Sequence, residues 1–348
     1  MKFTRRRFLS TCLTAASTAV LSRPTIAADP YVLRFASPYL SSEADTSPHM
    51  HADIKTQVER LSNGRIRVEI LDGGQAGAGP ELMAKVSRGY IQGALVSASN
   101  LSPIAPALDI LNIPFWCAEN QAYENLVNSE VWQRLIIDKV HAAGAIHVWF
   151  PYVVGGRTLT TGKHWLKPVM TPEQLANIMV RVPSSELLRH FYTLAGGRAR
   201  RIDWGKVAAA LRAREVDVID PAINSLYSGP DGLRHQIGHI FQLNSVHDGW
   251  MAVINQRWLH SLPNDLQQVM AEAGAQVHAW QPAAARRAQQ TASQRFNEMG
   301  VGIYTPDAEL ALNWRRRFGH EHPSWQRYKR NILGDDVLFN ELLRATEG

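Results

Sequence analysis

Apolar and polar positions follow two periods along the chain, with clear breaks between them. Tyr31–Phe35 alternates and stops ahead of Pro38, which predicts a strand. His49–Leu61 places Ala52, Ile54, Val58 and Leu61 at helical spacing and ends at Asn63-Gly64, a helix stop. Arg65–Leu71 alternates strictly, with Ile66, Val68 and Ile70 set against Arg65, Arg67 and Glu69, and reads as a half-buried strand. A Gly-rich loop over Asp72–Pro80, a helix over Pro80–Arg88 closed by Gly89, and a short apolar strand over Gly93–Ser97 complete the first series. This β-α-β-α-β order with short connections predicts an α/β domain on a mainly parallel sheet.

A second series starts at the apolar strand Ile146–Val154. A short helix follows at Pro172–Ala176 with Thr171 as its cap, then a strand at Ile178–Val182 and a helix at Glu186–Ala195 ended by Gly196-Gly197. Val207–Arg214 reads as a helix, and Val216–Ile219 and Trp250–Asn255 as strands. Asn264–Met299 then reads as one helix, with Leu266, Val269, Met270, Ala273 and Val277 on one face. At 1.5 Å per residue it would run about 54 Å, long enough to brace two domains, and Pro282 should kink it. The tail carries Trp314, Phe318, Trp325 and Tyr328 among basic residues and reads as a solvated amphipathic helix lying on the body.

The chain has 348 residues, which fits two domains, and is 45% hydrophobic, enough for large cores. Its 37 Lys and Arg against 31 Asp and Glu give +6, but Lys2, Arg5, Arg6, Arg7 and Arg23 lie in an acid-free leader of 28 residues. The remainder carries 32 against 31, a net charge of +1, so a nucleic-acid partner loses its main support. The leader has a basic start, a short apolar stretch over Phe8–Leu21 and small residues at Thr25-Ile26-Ala27-Ala28, so export is expected, with cleavage after Ala27 or Ala28. Thr4-Arg5-Arg6-Arg7-Phe8-Leu9 matches the twin-arginine pattern; a Sec signal with a basic start is the other reading. Cys12 precedes its apolar run, which excludes a lipoprotein site. Cys117 is then the single cysteine of the mature chain, so stability must come from packing rather than a disulfide.

Few motifs carry chemistry. His235 and His239 have the spacing of a zincin pair, but Gln236 replaces the Glu that would act as base and Gly238 weakens a helix, so exposed histidines are the expectation. His49/His51 and His320/His322 are also read as surface pairs, since no third ligand is evident. Gly73–Gly79 departs from the Gly-x-Gly-x-x-Gly dinucleotide pattern and reads as a turn. No metal or cofactor is expected. Two arginines stand out: Arg157 after the Ile146–Val154 strand, and Arg181 inside the apolar run Met179–Val182. A guanidinium in such a strand needs a partner, either an anionic ligand or a structural carboxylate, and spacing alone leaves both open. Its planar fork of donors suits a carboxylate.

Several segments in the same order resemble the solute-binding proteins of TRAP transporters, the C4-dicarboxylate-binding (DctP-type) family. They are Asn63–Glu69, Gly73–Leu82, Asn112-Ile113-Pro114-Phe115-Trp116, Gly156–Thr161, Val180-Arg181-Val182-Pro183-Ser184, and Val253-Ile254-Asn255 with Trp258, Leu262 and Pro263. The resemblance spans roughly Tyr31 to Leu312. It implies a two-lobed periplasmic binding protein of type II-like α/β architecture, with hinge strands and a long helix spanning both domains. Residues 29–154 with 247–285 would form lobe I, 155–246 with 286–330 lobe II, and 331–348 a C-terminal tail.

The resemblance further implies a monomeric, non-enzymatic periplasmic receptor that closes on a small organic acid and hands it to a TRAP membrane permease. Arg181 falls on the family's carboxylate-clamping position and Arg157 on its second pocket arginine. Ser184 falls on a polar pocket position and Trp204 on an aromatic wall. Val216–Pro221 departs from the family's usual segment: Asn224 is the substitute for a pocket Asn, and Asp220 adds an acid suited to a hydroxyl, an amine or a metal ion beside the ligand. Lys206 stands where a Glu is common, and the loop from Asp217 to His247 is longer. Two other functions stay open: a sensor of the same fold signalling through a membrane receptor, and a metalloenzyme built on His235 and His239.

Overall fold

Two sheets organise the chain in the computed structural model, which describes residues 29–348. The twin-arginine run, Cys12 and the cleavage positions lie outside the described residues. The strands, in chain order, are β1 (Tyr31–Ala36), β2 (Ile66–Leu71), β3 (Gly93–Ser97), β4 (Ile146–Tyr152), β5 (Leu159–Gly162), β6 (Met179–Val182), β7 (Arg198–Arg201), β8 (Val218–Ile219), β9 (Ile237–Phe241), β10 (Trp250–Asn255) and β11 (Gly302–Tyr304). The first sheet runs β2-β1-β3-β10-β4 and the second β11-β9-β5-β8-β6-β7. β2 shows the expected alternation at its start: Ile66 and Val68 are buried and Arg67 is exposed.

The first sheet is mixed rather than mainly parallel. β1 pairs parallel with β2 and β3, but β10 enters between β3 and β4 antiparallel to both. The reason is topological. The chain leaves the first lobe after β4, builds most of the second, and returns with β10 running the other way. The two crossings meet side by side. Gly156 bridges His247, the Arg157 N–H donates to the Val246 carbonyl at 2.7 Å, and the Asp248 N–H donates to the Gly155 carbonyl at 2.7 Å. Gly155 is required here: its φ is 132°, and a Cβ would lie 2.6 Å from Gln289 Nε2.

The helix Asn264–Glu298 makes a third connection. Its 35 residues span about 52 Å. It lies along the helix His51–Leu61 of the first lobe, where Arg60 reaches Gln276, and on the second lobe Phe296 packs edge-on against Tyr227. Gln281 is fully buried and holds the first crossing twice: the Val153 N–H donates to its Oε1 at 2.8 Å, and its Nε2 donates to the Val153 carbonyl at 2.7 Å.

The tail is more than a solvated helix. Trp314, Trp325 and Phe339 are buried; Trp314 packs near Phe191 of the second lobe and Phe339 on Trp116 of the first. Its aromatic residues are therefore interior anchors, and the basic residues between them form the wet face. No helix among the described residues is long and apolar enough to cross a membrane.

Candidate functional site

Arg181 comes from β6, an inner strand flanked by β8 and β7, with Val180 and Val182 buried on either side. Alternation turns its side chain the other way, toward the seam between the lobes. It is 2% exposed. Its Nε donates to the Ile202 carbonyl at 2.9 Å, and the guanidinium lies 5.5 Å from the ring centroid of Trp204. Among the described residues it has no carboxylate ion-pair partner, and residues 1–28, outside them, hold no acid. Burial pulls its pKa down to about 10, against the pull of Asp220 in the other direction.

Arg157 is equally buried, and both its terminal nitrogens are engaged, though its Nε has no partner. Its Nη1 meets Asp220 Oδ1 at 3.0 Å, and its Nη2 meets Asp248 Oδ1 at 2.7 Å and the Ser99 hydroxyl at 3.2 Å. Burial works against its charge, and the two aspartates more than offset that and hold it above its ordinary value. Burial pushes the Asp220 carboxyl up, with Arg157 and Arg181 opposing. The remaining oxygens of both acids are taken: Tyr192 donates to Asp220 Oδ2 at 3.3 Å and the Ala222 N–H to Asp248 Oδ2 at 3.2 Å. Asp220 is thus a counter-ion of Arg157. Of the two candidate arginines, only Arg181 has a charge left to give.

Two adjoining chambers lie between the lobes. One, of about 10 Å³ in this closed form, is bounded by Arg181, Trp204, Pro183, Asn100, Arg157, Asp248 and, shared with its neighbour, Ser225 and Trp250. The other, also of about 10 Å³, adds Tyr39, His49, Leu95, Tyr152 and Asn224. A larger groove of about 650 Å³ opens behind the crossings around Asn244 and Gln289, but none of its polar side-chain atoms is both buried and unpartnered. The inner chambers differ: Trp204 Nε1, Trp250 Nε1, His49 Nε2 and Asn224 Nδ2 are all buried without a partner. Buried polar groups ordinarily find one, which makes the inner chambers the candidate binding site.

The lobes are closed on each other. Tyr39 donates to Ser225 Oγ at 3.1 Å, Thr46 Oγ1 lies 2.8 Å from Ser228 Oγ, and Glu43 pairs with Arg234 at 2.8 Å. Ser184 does not bound either chamber; its N–H approaches Asn100 Oδ1 at 3.5 Å. Thus Arg181, Trp204 and Asn224 line the cleft, Arg157 reaches its wall, and Asp220 stands behind Arg157.

The His49/His51 pair departs from the surface reading, whereas His235 is exposed as expected. His49 and His51 are buried and stacked at 3.7 Å, because Met50 between them turns left-handed (φ 55°) at the start of the helix. His235 lies in the short turn Leu233–Gln236 and His239 in β9, so the two share no helix face and the zincin geometry is lost. Among the described residues no three His, Cys, Asp or Glu side chains gather as a metal site. Tyr39, His49 and Trp250 were not legible as site residues. A tryptophan in an apolar strand reads as core, and a histidine at the start of a helix with no evident partner reads as surface.

A closed two-lobed cleft around a buried, uncompensated arginine defines a small-anion receptor. The family model for bacterial extracellular solute-binding proteins, family 7 (DctP) matches residues 40–330, and the chain belongs to that family. A solute-binding protein of Chromohalobacter salexigens is 23% identical over 274 residues, 77% of this chain and 79% of that protein. The sugar acid binding protein of Advenella mimigardefordensis, solved with galactonate, superposes with a TM-score of 0.82 at 19% identity, covering 92% of this chain and 98% of that one. A TRAP periplasmic solute binding protein from Shewanella oneidensis with bound succinate gives 0.81 at 18%, covering 91% and 99%.

Proposed function

We propose that this chain captures a small organic acid in the periplasm, by cleft closure, and delivers it to the membrane permease of a TRAP transporter. One observation carries the reading: Arg181 is buried between the lobes with no acid of the chain to pair with it. A ligand carboxylate completes that pair through charge-assisted hydrogen bonds, bidentate if both Nη atoms engage. Without it, closure would bury a lone charge, so the empty receptor favours the open form and the ligand selects the closed one. The closed surface is what a permease would read. Relatives solved with galactonate and succinate support a carboxylate as the shared chemistry. No bond need be made or broken.

The test is a thermal-shift screen of the mature protein against mono-, di- and sugar carboxylates, repeated on Arg181→Ala. A ligand that binds only the folded state at a hundred times its Kd adds about 2.7 kcal/mol and raises Tm. The expected result is an acid whose shift disappears in the variant. A folded Arg181→Ala protein with undiminished affinity would overturn the assignment.

A further inference from the structure

The far chamber presents donors and no charge. His49 Nδ1 accepts from the His51 N–H at 3.2 Å, so the neutral ring carries its proton on Nε2, which is buried with no partner at hydrogen-bond distance, although the Leu40 carbonyl acts on the ring. Burial draws this imidazole down to about 4, so it is neutral at pH 7. Asn224 Oδ1 accepts from the Ser225 N–H at 3.0 Å, which orients the amide and leaves Nδ2 free. Trp250 Nε1 is a third free donor, at the junction of the chambers. The three side chains are 3%, 1% and 5% exposed.

Apart from the Ser47 and Ser225 hydroxyls, the rest of the far wall is carbon. The hydroxyls of Tyr39 and Tyr152 are spent on Ser225 Oγ and the His49 carbonyl, leaving ring carbon beside Leu95 and Val154. No Lys, Arg, Asp or Glu lines this chamber. A buried donor left without an acceptor is costly, so the occupant must bring acceptor oxygen. A second carboxylate would be buried with no cation, since Asp220 and Asp248 already neutralise Arg157. A polyol could place one hydroxyl on Ser47 or Ser225, but its other protons would face orphan groups that are all donors. A carbonyl oxygen brings acceptor capacity with neither charge nor proton.

Resting on the carboxylate reading of Arg181, we propose that the ligand is an oxo monocarboxylate, with its carboxylate on Arg181 and a keto oxygen accepting from His49, Asn224 and Trp250. The body between the two groups is mainly hydrocarbon.

The experiment is titration calorimetry at neutral pH with two matched sets of probes. The short set is 4-oxopentanoate, succinate and pentanoate; the long set is 4-acetylbenzoate, terephthalate and 4-ethylbenzoate. Galactonate is the polyol control. In at least one set the oxo acid is expected to bind about tenfold or more tighter than its dicarboxylate and alkyl counterparts, and tighter than galactonate. That margin corresponds to one satisfied buried donor. Asn224→Leu should weaken the oxo acid about tenfold and move the alkyl acid less than twofold. His49→Phe is the second variant, with the same expectation.

A dicarboxylate or galactonate binding tightest, or an alkyl acid matching its oxo partner in both sets, overturns the proposal. If that binding is lost in Arg181→Ala, the carboxylate reading survives. If no acid binds at all, the carboxylate reading falls and the oxo-acid proposal with it.

Discussion

Glu43 and Arg234 belong to opposite lobes and meet at 2.8 Å across the seam of the closed cleft. Arg234 also donates to the Tyr227 carbonyl and lies over the Tyr227 ring, so it stays in place when the acid is removed. Glu43→Gln should therefore act on the closed state alone. The pair is partly exposed and is worth about 0.5–1 kcal/mol after screening. The expected outcome is a ligand off-rate raised two- to fivefold by stopped-flow fluorescence, with unfolding midpoint unchanged and the difference shrinking at high salt. An off-rate indifferent to the mutation would remove the pair from the closure mechanism.

Asp248 shares Arg157 with Asp220 beside the two crossings. Asp248→Ala leaves a buried guanidinium half-compensated and an Ala222 N–H without its acceptor. Removing one partner of a buried ion pair costs about 3–5 kcal/mol. Denaturant unfolding should show that loss even without ligand. A loss below 1 kcal/mol would mean that water enters the crossing and replaces the carboxylate.

Gln281 holds both backbone groups of Val153 from inside the long helix. Gln281→Leu keeps the volume and orphans a buried N–H and a buried carbonyl. At about 1–3 kcal/mol each, the two lost bonds should cost a few kcal/mol in all. Hydrogen exchange should show the Val153 amide losing protection before the amides of β4. Unchanged exchange there would contradict the bracing role of the helix.

Three buried imidazoles set an acid limit. Burial pulls His49 to about 4, and His51 and His247 to about 3, from an ordinary value near 6.5. These folded values lie below the unfolded ones, so the unfolded chain binds more protons between pH 6.5 and about 4. Stability is full above pH 6.5 and falls as pH drops through that window. Each histidine contributes a slope of up to about 1.4 kcal/mol per pH unit. His49 and His51 are stacked and titrate as a coupled pair. Urea unfolding at pH 7, 6 and 5 should trace the fall. A flat profile would mean that the rings reach solvent.

Much of the fold was readable because its period was unambiguous. Ile66, Val68 and the long face from Leu266 to Val277 announce one strand and one helix whatever surrounds them. Sheet direction was not readable, because nothing in Trp250–Asn255 says that it runs against β3. Arg181 was visible because a cation in an apolar strand breaks a local rule. Its lack of an acid partner, and the engagement of Arg157 by two acids 63 and 91 residues away, exist only once the lobes are assembled. His49 was hidden for a related reason: burial and a left-handed Met50, not its neighbours in sequence, make it a donor in the cleft.

The placement of β10 also governs the order in which the molecule can be completed. Until residues 250–255 arrive, β3 and β4 lack the strand that lies between them. The second sheet, by contrast, lacks only its edge strand β11 once residue 241 has been made. The sheet begun first therefore stays open while most of the second is made, until a loop of more than ninety residues has closed, and long-range pairing of this kind is slow. During that interval two strand edges of the N-terminal lobe stand open to pairing with other chains. A chain interrupted after Phe241 would carry a nearly complete second sheet and a first sheet with an empty slot between β3 and β4.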